Sequence, residues 1–242
     1  MRPELYHAHH LNYLEDLPYW LTLADQANGP ILELGCGTGR ILTILAQEGF
    51  QIFGLDNDLR MLCYLKQHNP AAPVFAADLT NFHLDMKFPL ILLACNTYST
   101  LSTAQRKAAL QCIDHHLLEG GVFCTSLPNP LDLIQMGDSE EAGPEEFFSH
   151  PQTGEPIQVS SSWQTNQNRV TIHWHYDHLL PDGQVQRTTH QTSHVLEPAE
   201  SYIQEMQAQG FRVHTDGEFD GRAYAEGTDF LILKAVKPFK RG

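Results

Sequence analysis

The residues best suited to ligand chemistry form a glycine-rich turn, G-C-G-T-G at 35–39, directly after a short apolar run at 31–34. Glycine lets the backbone approach a ligand without obstruction by a Cβ. The dinucleotide-binding fingerprint is G-x-G-x-x-G, and its third glycine would have to fall at Arg40. The spacing therefore disfavours a pyrophosphate site. A tight strand-to-helix turn without a ligand is the alternative.

Polar side chains follow the next three predicted strands. Asp56 ends the strand at 51–55, about 20 residues beyond the glycine turn, where a carboxylate can accept hydrogen bonds from a ribose diol. Asp78 follows a strand at 73–76, and Asn96 follows one at 90–94. Ligands of open parallel sheets lie outside the carboxyl ends of the strands. Together these residues predict a ligand site at that edge, although each alone could be a cap or turn residue.

The elements that position these residues alternate between strand and helix. The N-terminal segment is predicted to be helical over 5–27, with Pro18 starting a new helix, and helices also follow the strands at 31–34, 51–55 and 90–94. A fifth strand is predicted at 122–125, and the last two at 211–219 and 229–236. Apolar strands that alternate with helices indicate an α/β fold. We expect a seven-stranded, mostly parallel sheet with helices on both faces.

The middle of the chain breaks this alternation. Residues 129–155 are acidic and rich in turn residues, so we expect a solvated loop there. Residues 156–196 alternate with a period of two around the hairpin turn Pro181-Asp182-Gly183, which predicts antiparallel strands. We divide the chain into an N-terminal segment (1–28), a core (29–128 and 197–242) and an insertion (129–196).

The stretches at 33–40, 54–62 and 77–79 resemble the class I S-adenosylmethionine-dependent methyltransferases, which have a Rossmann-like sheet. The resemblance covers about 30–125 and 197–237. A narrower similarity is to small-molecule N- and O-methyltransferases with an aromatic N-terminal helix and an antiparallel insertion before the last helix. The chain has His7 where many relatives carry Asp after the tyrosine, and it lacks the Asn/Asp-Pro-Pro-aromatic motif of nucleobase amino methyltransferases.

This resemblance implies S-adenosylmethionine as cofactor and S-adenosylhomocysteine as product. Glu33 would hold the methionyl ammonium, Asp56 would take the ribose hydroxyls, and Asp78 would meet the adenine amino group. The other implied cofactor contacts are Tyr13, Gly35, Cys36, Gly37, Gly39, Asn57, Leu79 and Asn96.

The methyl acceptor is expected above the same edge of the sheet. The strand at 211–219 should run parallel to the others, so the turn that follows it would overhang the ligand edge. We expect Tyr6, Arg222 and Tyr224 to contact the acceptor. Tyr6 and His175 are the candidates for a general base, if one is needed. Arg222 and Tyr224 could instead form a subunit contact of a homodimer, because both residue types are enriched in interfaces.

Histidine and cysteine could also bind metal. His173 and His175 alternate on one predicted strand, and His190 and His194 lie on its neighbour, but a regular H-x-H is equally typical of a solvated strand face. The five cysteines are odd in number and include no C-x-x-C pair, so neither disulfides nor a zinc ribbon is expected. The sequence predicts no metal site.

The composition of the chain limits the kinds of molecule that it is expected to bind. The chain has 242 residues and a formal net charge of −14, which argues against a nucleic-acid partner because such binding relies on Lys and Arg. No apolar run approaches the length of about 18 residues that suggests a membrane span, and no apolar signal stretch opens the chain. We expect a cytoplasmic methyltransferase with a small-molecule acceptor. The alternatives are an NAD(P)-type oxidoreductase and a non-catalytic cofactor-binding protein.

Overall fold

The computed structural model describes residues 2–139 and 143–239, which form two sheets with helices around the larger one. The larger sheet has strand order β10-β11-β5-β4-β1-β2-β3, and the smaller has order β6-β7-β8-β9. The strands are β1 Ile31–Leu34, β2 Ile52–Asp56, β3 Val74–Ala76, β4 Phe88–Leu93, β5 Leu117–Pro128, β6 Gly143–Ser149, β7 Pro156–Asn166, β8 Arg169–Leu179, β9 Val185–Val195, β10 Arg212–Asp216 and β11 Phe230–Val236. The helices are α1 Pro3–His10, α2 Leu17–Gln26, α3 Arg40–Gln47, α4 Leu59–His68, α5 Thr97–Thr100, α6 Thr103–His116, α7 Pro130–Gln135 and α8 Ala199–Ala208.

The larger sheet confirms the predicted mostly parallel α/β fold. Strands β1 to β5 pair in parallel, whereas β11 is antiparallel to both β5 and β10. Strand β10 therefore runs in the same direction as β5, as predicted, and its carboxyl end reaches the ligand edge.

Apolar side chains cover both faces of this sheet. Helices α6 and α8 bury Leu110, Ile113 and Met206 on one face. Helices α2 to α4 bury a second cluster, which includes Trp20 and Leu42, on the other. Ser102 and Gln105 form a capping box that begins α6.

Several element boundaries differ from the sequence prediction; β10, for example, ends at Asp216 and not at residue 219. The N-terminal segment forms two helices separated by residues 11–16, and Pro18 lies in the first turn of α2, as predicted. Strand β5 is three times as long as the predicted 122–125, because it begins at Leu117, immediately after α6. The apolar Leu117 thus belongs to the strand.

The insertion holds one strand more than predicted. The acidic stretch was expected to be a loop, but α7 lies within it, and Gly143–Ser149 pairs with β7 as the edge strand β6. An edge strand needs backbone partners on one side only, so an acidic sequence such as Glu145-Glu146 can occupy it. Glu140 and Glu141 lie outside the described residues. None of the described helices is long and apolar enough to span a membrane.

Candidate functional site

The glycine-rich turn adopts a backbone that favours glycine. Gly35, Gly37 and Gly39 have φ values of +63°, +52° and +80°, all in the left-handed region. A Cβ on Gly37 would touch only Tyr6, at 3.8 Å, whereas one on Gly39 would lie 2.5 Å from Leu65 Cδ1. The first two glycines thus leave the turn open to a ligand, and Gly39 lets the start of α3 pack against α4.

The carboxylate of Asp56 is fixed at the end of β2 by two backbone donors. The Gly37 N–H donates to Oδ2 at 2.8 Å, and the Asp58 N–H donates to Oδ1 at 2.7 Å. A carboxylate offers about four acceptor positions, so two remain for a ligand. Asp56 is therefore held rigidly while it keeps the capacity to bind a pair of hydroxyl groups.

These groups line a cavity of about 380 Å³ along the ends of β1, β2 and β3, which we call the cofactor cleft. Of the predicted cofactor contacts, Gly35, Gly37, Asp56, Asn57 and Leu79 line it. The structure thus brings together residues that are up to 44 positions apart in the chain.

Glu33, on β1, is buried with an unsatisfied carboxyl oxygen. Its Oε2 has no hydrogen-bond partner. Burial raises the pKa of Glu33 to about 8, although the positive charge of Arg40 opposes the shift. A buried carboxyl oxygen without a partner is costly. Glu33 does not line the cleft, so its contact with the methionyl ammonium stays a prediction.

A second cavity of about 440 Å³, which we call the inner cavity, lies beside the cleft. Tyr13 and Asn96 line it, and Tyr6 and His190 line both cavities. The hydroxyl of Tyr13 is buried without a partner. Two bound molecules could therefore meet near Tyr6, one in each cavity.

Comparison with known proteins assigns the core to a family. Residues 31–121 match the family described as a methyltransferase domain. The match confirms the predicted resemblance to the class I S-adenosylmethionine-dependent methyltransferases over these residues. It also counts against the oxidoreductase alternative.

Similarity to individual curated proteins is confined to part of the chain. The dTDP-3-amino-3,6-dideoxy-alpha-D-glucopyranose N,N-dimethyltransferase of Streptomyces fradiae is 30% identical over 93 residues, which are 38% of this chain and 36% of that protein. This chain spans about a third of the length of the curated relatives it matches.

Similarity to solved structures covers nearly the whole fold. An S-adenosylmethionine-dependent methyltransferase from Clostridium acetobutylicum ATCC 824 aligns with a TM-score of 0.80 and 14% identity, over 97% of both chains. CalS10, an amino pentose methyltransferase from Micromonospora echinaspora, aligns with a TM-score of 0.75 and 18% identity, over 96% of both chains. These likenesses concern the fold, including the insertion.

Some predicted cofactor contacts do not line the cleft. The Cys36 side chain is buried in the core, where a Cβ on Gly54 would lie 2.7 Å from its sulfur. The carboxylate of Asp78 accepts two hydrogen bonds from Thr80, at 2.8 Å each. Gly39 caps α3. Their contacts with the cofactor stay predictions.

Sequence reasoning did not assign a role to a buried ion pair in the wall of the inner cavity. The two terminal nitrogens of Arg40 donate to the two carboxylate oxygens of Asp16, at 2.7 and 2.6 Å, and Trp20 Nε1 donates to the same carboxylate. Burial opposes the charge of Arg40, but the bonds to Asp16 outweigh it and raise the pKa of Arg40. The charges of Arg40 and Asp16 thus neutralise each other. The sequence feature that could have indicated this pair is the position of Arg40 directly after the glycine turn.

The histidines of the insertion lie on opposite faces of the smaller sheet. His190 and His194 pair with the inward-facing Trp174 and Val170 and line the inner cavity. His175 lies on the other face, where it bonds to Ser162 and Thr189. The candidate base His175 is therefore outside both cavities. Strands that pair symmetrically about Asp182 place position 174 opposite position 190. The predicted hairpin is therefore enough to place His190 on the same face of the sheet as Trp174.

The predicted acceptor contacts after β10 lie outside the inner cavity. The Arg222 side chain is 64% exposed and pairs with Asp220. The Tyr224 hydroxyl donates to Asn129 Oδ1 at 3.0 Å. Of the predicted acceptor contacts, only Tyr6 lines a cavity. Acceptor binding by Arg222 and Tyr224 stays a prediction, as does the homodimer.

A third histidine group lies away from both cavities. Among the described residues, His83, His115 and His116 are close enough together to hold a metal ion. However, His116 Nδ1 bonds to the Cys112 carbonyl and its Nε2 accepts the Leu84 N–H. Both nitrogens of His116 are thereby used, so we assign no metal there.

Proposed function

We propose that this chain transfers a methyl group from S-adenosylmethionine to an amino nitrogen of a small molecule. The observation that carries the proposal is the pair of adjoining cavities, one with the fixed Asp56 carboxylate and the other with histidines in its wall. Methyl transfer is an in-line displacement, so donor and acceptor must be held in contact and in line. Tyr6, which lines both cavities, marks where they would meet.

The residues of the cleft fit the cofactor, and so does Glu33, which is buried on β1 outside the cleft lining. The two remaining acceptor positions of Asp56 suit the ribose hydroxyls, and the unpartnered Oε2 of Glu33 suits the methionyl ammonium. Asn57 and Leu79 would border the adenine. When bound, S-adenosylmethionine supplies a methyl group activated by a sulfonium, so the protein contributes mainly orientation and exclusion of water.

The charges of the inner cavity favour an acceptor without phosphate. Among the described residues that line it, Arg40 is the only Lys or Arg, and Asp16 neutralises it. The net charge of −14 likewise disfavours a nucleic acid. Aromatic walls that include Trp174 and Tyr176 suit the apolar faces of a compact molecule.

The neutral histidines of the inner cavity favour nitrogen as the methylated atom. Burial lowers the pKa of His10 to about 3 and that of His194 to about 4, so both are uncharged at pH 7. A neutral imidazole accepts an N–H and does not repel the positive charge that develops on an attacking amine. The S. fradiae relative is named for an amino sugar and CalS10 for an amino pentose, which supports a sugar-like amine.

Tyr6 is proposed to position the acceptor rather than to take its proton. Burial raises the pKa of the Tyr6 hydroxyl, so this group stays protonated at neutral pH. It can donate a hydrogen bond to either bound molecule, and its place between the cavities suits that role. A Tyr6→Phe variant should therefore lose turnover more than cofactor affinity.

Calorimetry with S-adenosylmethionine and with NAD tests the cofactor assignment. Turnover is tested with trideuteromethyl-labelled S-adenosylmethionine and two matched acceptors, D-glucosamine and D-glucose. The dTDP-amino sugar of the S. fradiae enzyme serves as the phosphate-bearing comparison, and we expect it to be the poorer acceptor. We expect S-adenosylmethionine to bind, NAD not to bind, and label to appear on nitrogen in mass spectra. Label on the oxygen of D-glucose would overturn the assignment to nitrogen. Binding without turnover of any amine would favour the non-catalytic alternative.

A further inference from the structure

A buried hydrogen-bonded chain connects the end of β4 to the inner cavity. The Ser99 hydroxyl lies 2.8 Å from the Asn96 carbonyl oxygen and 2.8 Å from His194 Nδ1. Ser99 is fully buried and His194 is 5% exposed. Asn96 and Ser99 belong to the start and body of α5, whereas His194 lies on β9 of the insertion.

This chain determines which ring nitrogen of His194 carries its proton. The Asn96 carbonyl can only accept, so the single hydroxyl hydrogen of Ser99 must point to it. Ser99 Oγ then accepts from His194, which places the hydrogen on Nδ1. A neutral imidazole has one N–H, so Nε2 holds a lone pair.

Nε2 is the free end of this chain. No hydrogen bond to Nε2 is seen among the described residues, and the His194 side chain lines the inner cavity. The turn at the other end of the chain has a defined shape, since Cys95 and Asn96 adopt left-handed φ values of 59° and 63°, which are uncommon for non-glycine residues. The bond between Nδ1 and Ser99 therefore sets the direction of the His194 ring.

We infer that His194 Nε2 accepts a hydrogen bond from the amino group of the methyl acceptor, and that Ser99 is the positioning residue that keeps this nitrogen unprotonated. This inference rests on the proposed function. A neutral primary amine has two N–H bonds and one lone pair. If one N–H donates to His194, the rotation of the amino group is restricted and its lone pair can be aimed at the methyl group.

The same contact can persist through the methyl transfer. The amine lone pair forms the new N–C bond as the C–S bond breaks, and the electron pair of the C–S bond stays on sulfur, which becomes a neutral thioether. The nitrogen becomes a positively charged ammonium, which keeps its N–H bond to the neutral His194 Nε2. The product leaves with this proton and loses it to solvent, so His194 stays neutral and the site returns to its starting state.

Nitrogen-15 NMR tests the tautomer without any acceptor. In protein labelled at its histidine rings, the resonances lost in His194→Asn identify this ring. We expect a protonated Nδ1 and an unprotonated Nε2 in the wild type at pH 7, and a mixture of tautomers in Ser99→Ala. An Nε2–H tautomer in the wild type would overturn the inference.

Kinetics with D-glucosamine and the dTDP-amino sugar test the contact itself. His194→Asn keeps an N–H close to the Nδ1 position but removes Nε2, and it should lower kcat about tenfold, the effect of losing one orienting hydrogen bond. The affinity for S-adenosylmethionine should stay within about twofold. In Ser99→Ala, kcat should fall in proportion to the fraction of the Nδ1–H tautomer that is lost. His175→Asn, on the outer face of the same sheet, should match the wild type.

The outcomes separate this inference from the proposed function. A wild type that methylates no amine would refute both. A wild type that turns over while His194→Asn retains kcat within threefold would refute the role of His194 alone. If His194→Asn fails to bind S-adenosylmethionine, the correlation between tautomer fraction and kcat in Ser99→Ala decides, and its absence refutes the inference.

Discussion

Asp56→Asn is the sharpest test of the cofactor cleft, because it preserves shape while it removes one acceptor. Both carboxylate oxygens face a backbone donor, the Gly37 N–H at 2.8 Å and the Asp58 N–H at 2.7 Å. Either orientation of the amide therefore places its NH₂ against an N–H. The variant loses a backbone bond and an acceptor for the ribose. Loss of a hydrogen bond to a charged group costs about 1.5–3 kcal/mol, or roughly 10- to 150-fold in affinity.

The matched control is Asp58→Asn, two residues away in the wall of the same cleft. The Asp58 carboxylate accepts from the Arg60 N–H at 2.9 Å and caps α4, a role that Asn performs equally well. We expect its affinity for S-adenosylmethionine to stay within about twofold of the wild type. Calorimetry gives both dissociation constants, and thermal unfolding shows whether each variant is folded. An Asp56→Asn protein that is folded and binds as tightly as the control would refute the reasoning.

Two further predictions concern stability. The pKa of Glu33 rises from 4.5 to about 8, so between these pH values the folded chain holds a proton that the unfolded chain has lost. The free energy of unfolding without cofactor should therefore fall as pH rises, by at most about 1.4 kcal/mol per pH unit. Urea unfolding of Glu33→Gln should show a weaker dependence on pH. Gly39→Ala should destabilise by about 1–3 kcal/mol more than Gly49→Ala, because both positions have left-handed φ but only at Gly39 would the new Cβ meet Leu65; equal urea midpoints would contradict this packing argument.

The sequence predicted the glycine turn and the strand ends that line the cleft well, because their signals are local. A turn with three left-handed positions calls for glycine, and a parallel strand that ends in Asp56 is visible in a short window. The sequence also predicted that β10 runs parallel to the other strands, and its pairing through β11 confirms this. These features depend on neighbours in the chain, so they can be predicted before any tertiary contact is known.

The acceptor half was predicted less well because long-range contacts create it. Asp16 and Arg40 are 24 residues apart, and Ser99 and His194 are 95 apart, with no spacing rule that connects either pair. The turn after β10 overhangs the correct edge, yet Arg222 points to solvent. The symmetry of the hairpin predicts which face of the sheet His194 occupies. Its bond to Ser99 cannot be predicted in this way, because it depends on how the insertion packs on the core.

The eight residues of α1 connect the two halves of the site. His7, the departure from the aspartate of many relatives, bonds through Nδ1 to the Thr38 hydroxyl of the glycine turn, at 3.1 Å. His9, on the same helix, bonds through Nδ1 to the Tyr176 hydroxyl of the insertion, at 2.9 Å. Tyr6 lies between the two cavities on this helix. Since one short helix contacts the cofactor turn, the insertion and the boundary between the cavities, its position sets the distance between donor and acceptor. The N-terminal segment is therefore part of the site and not an appendage to the core.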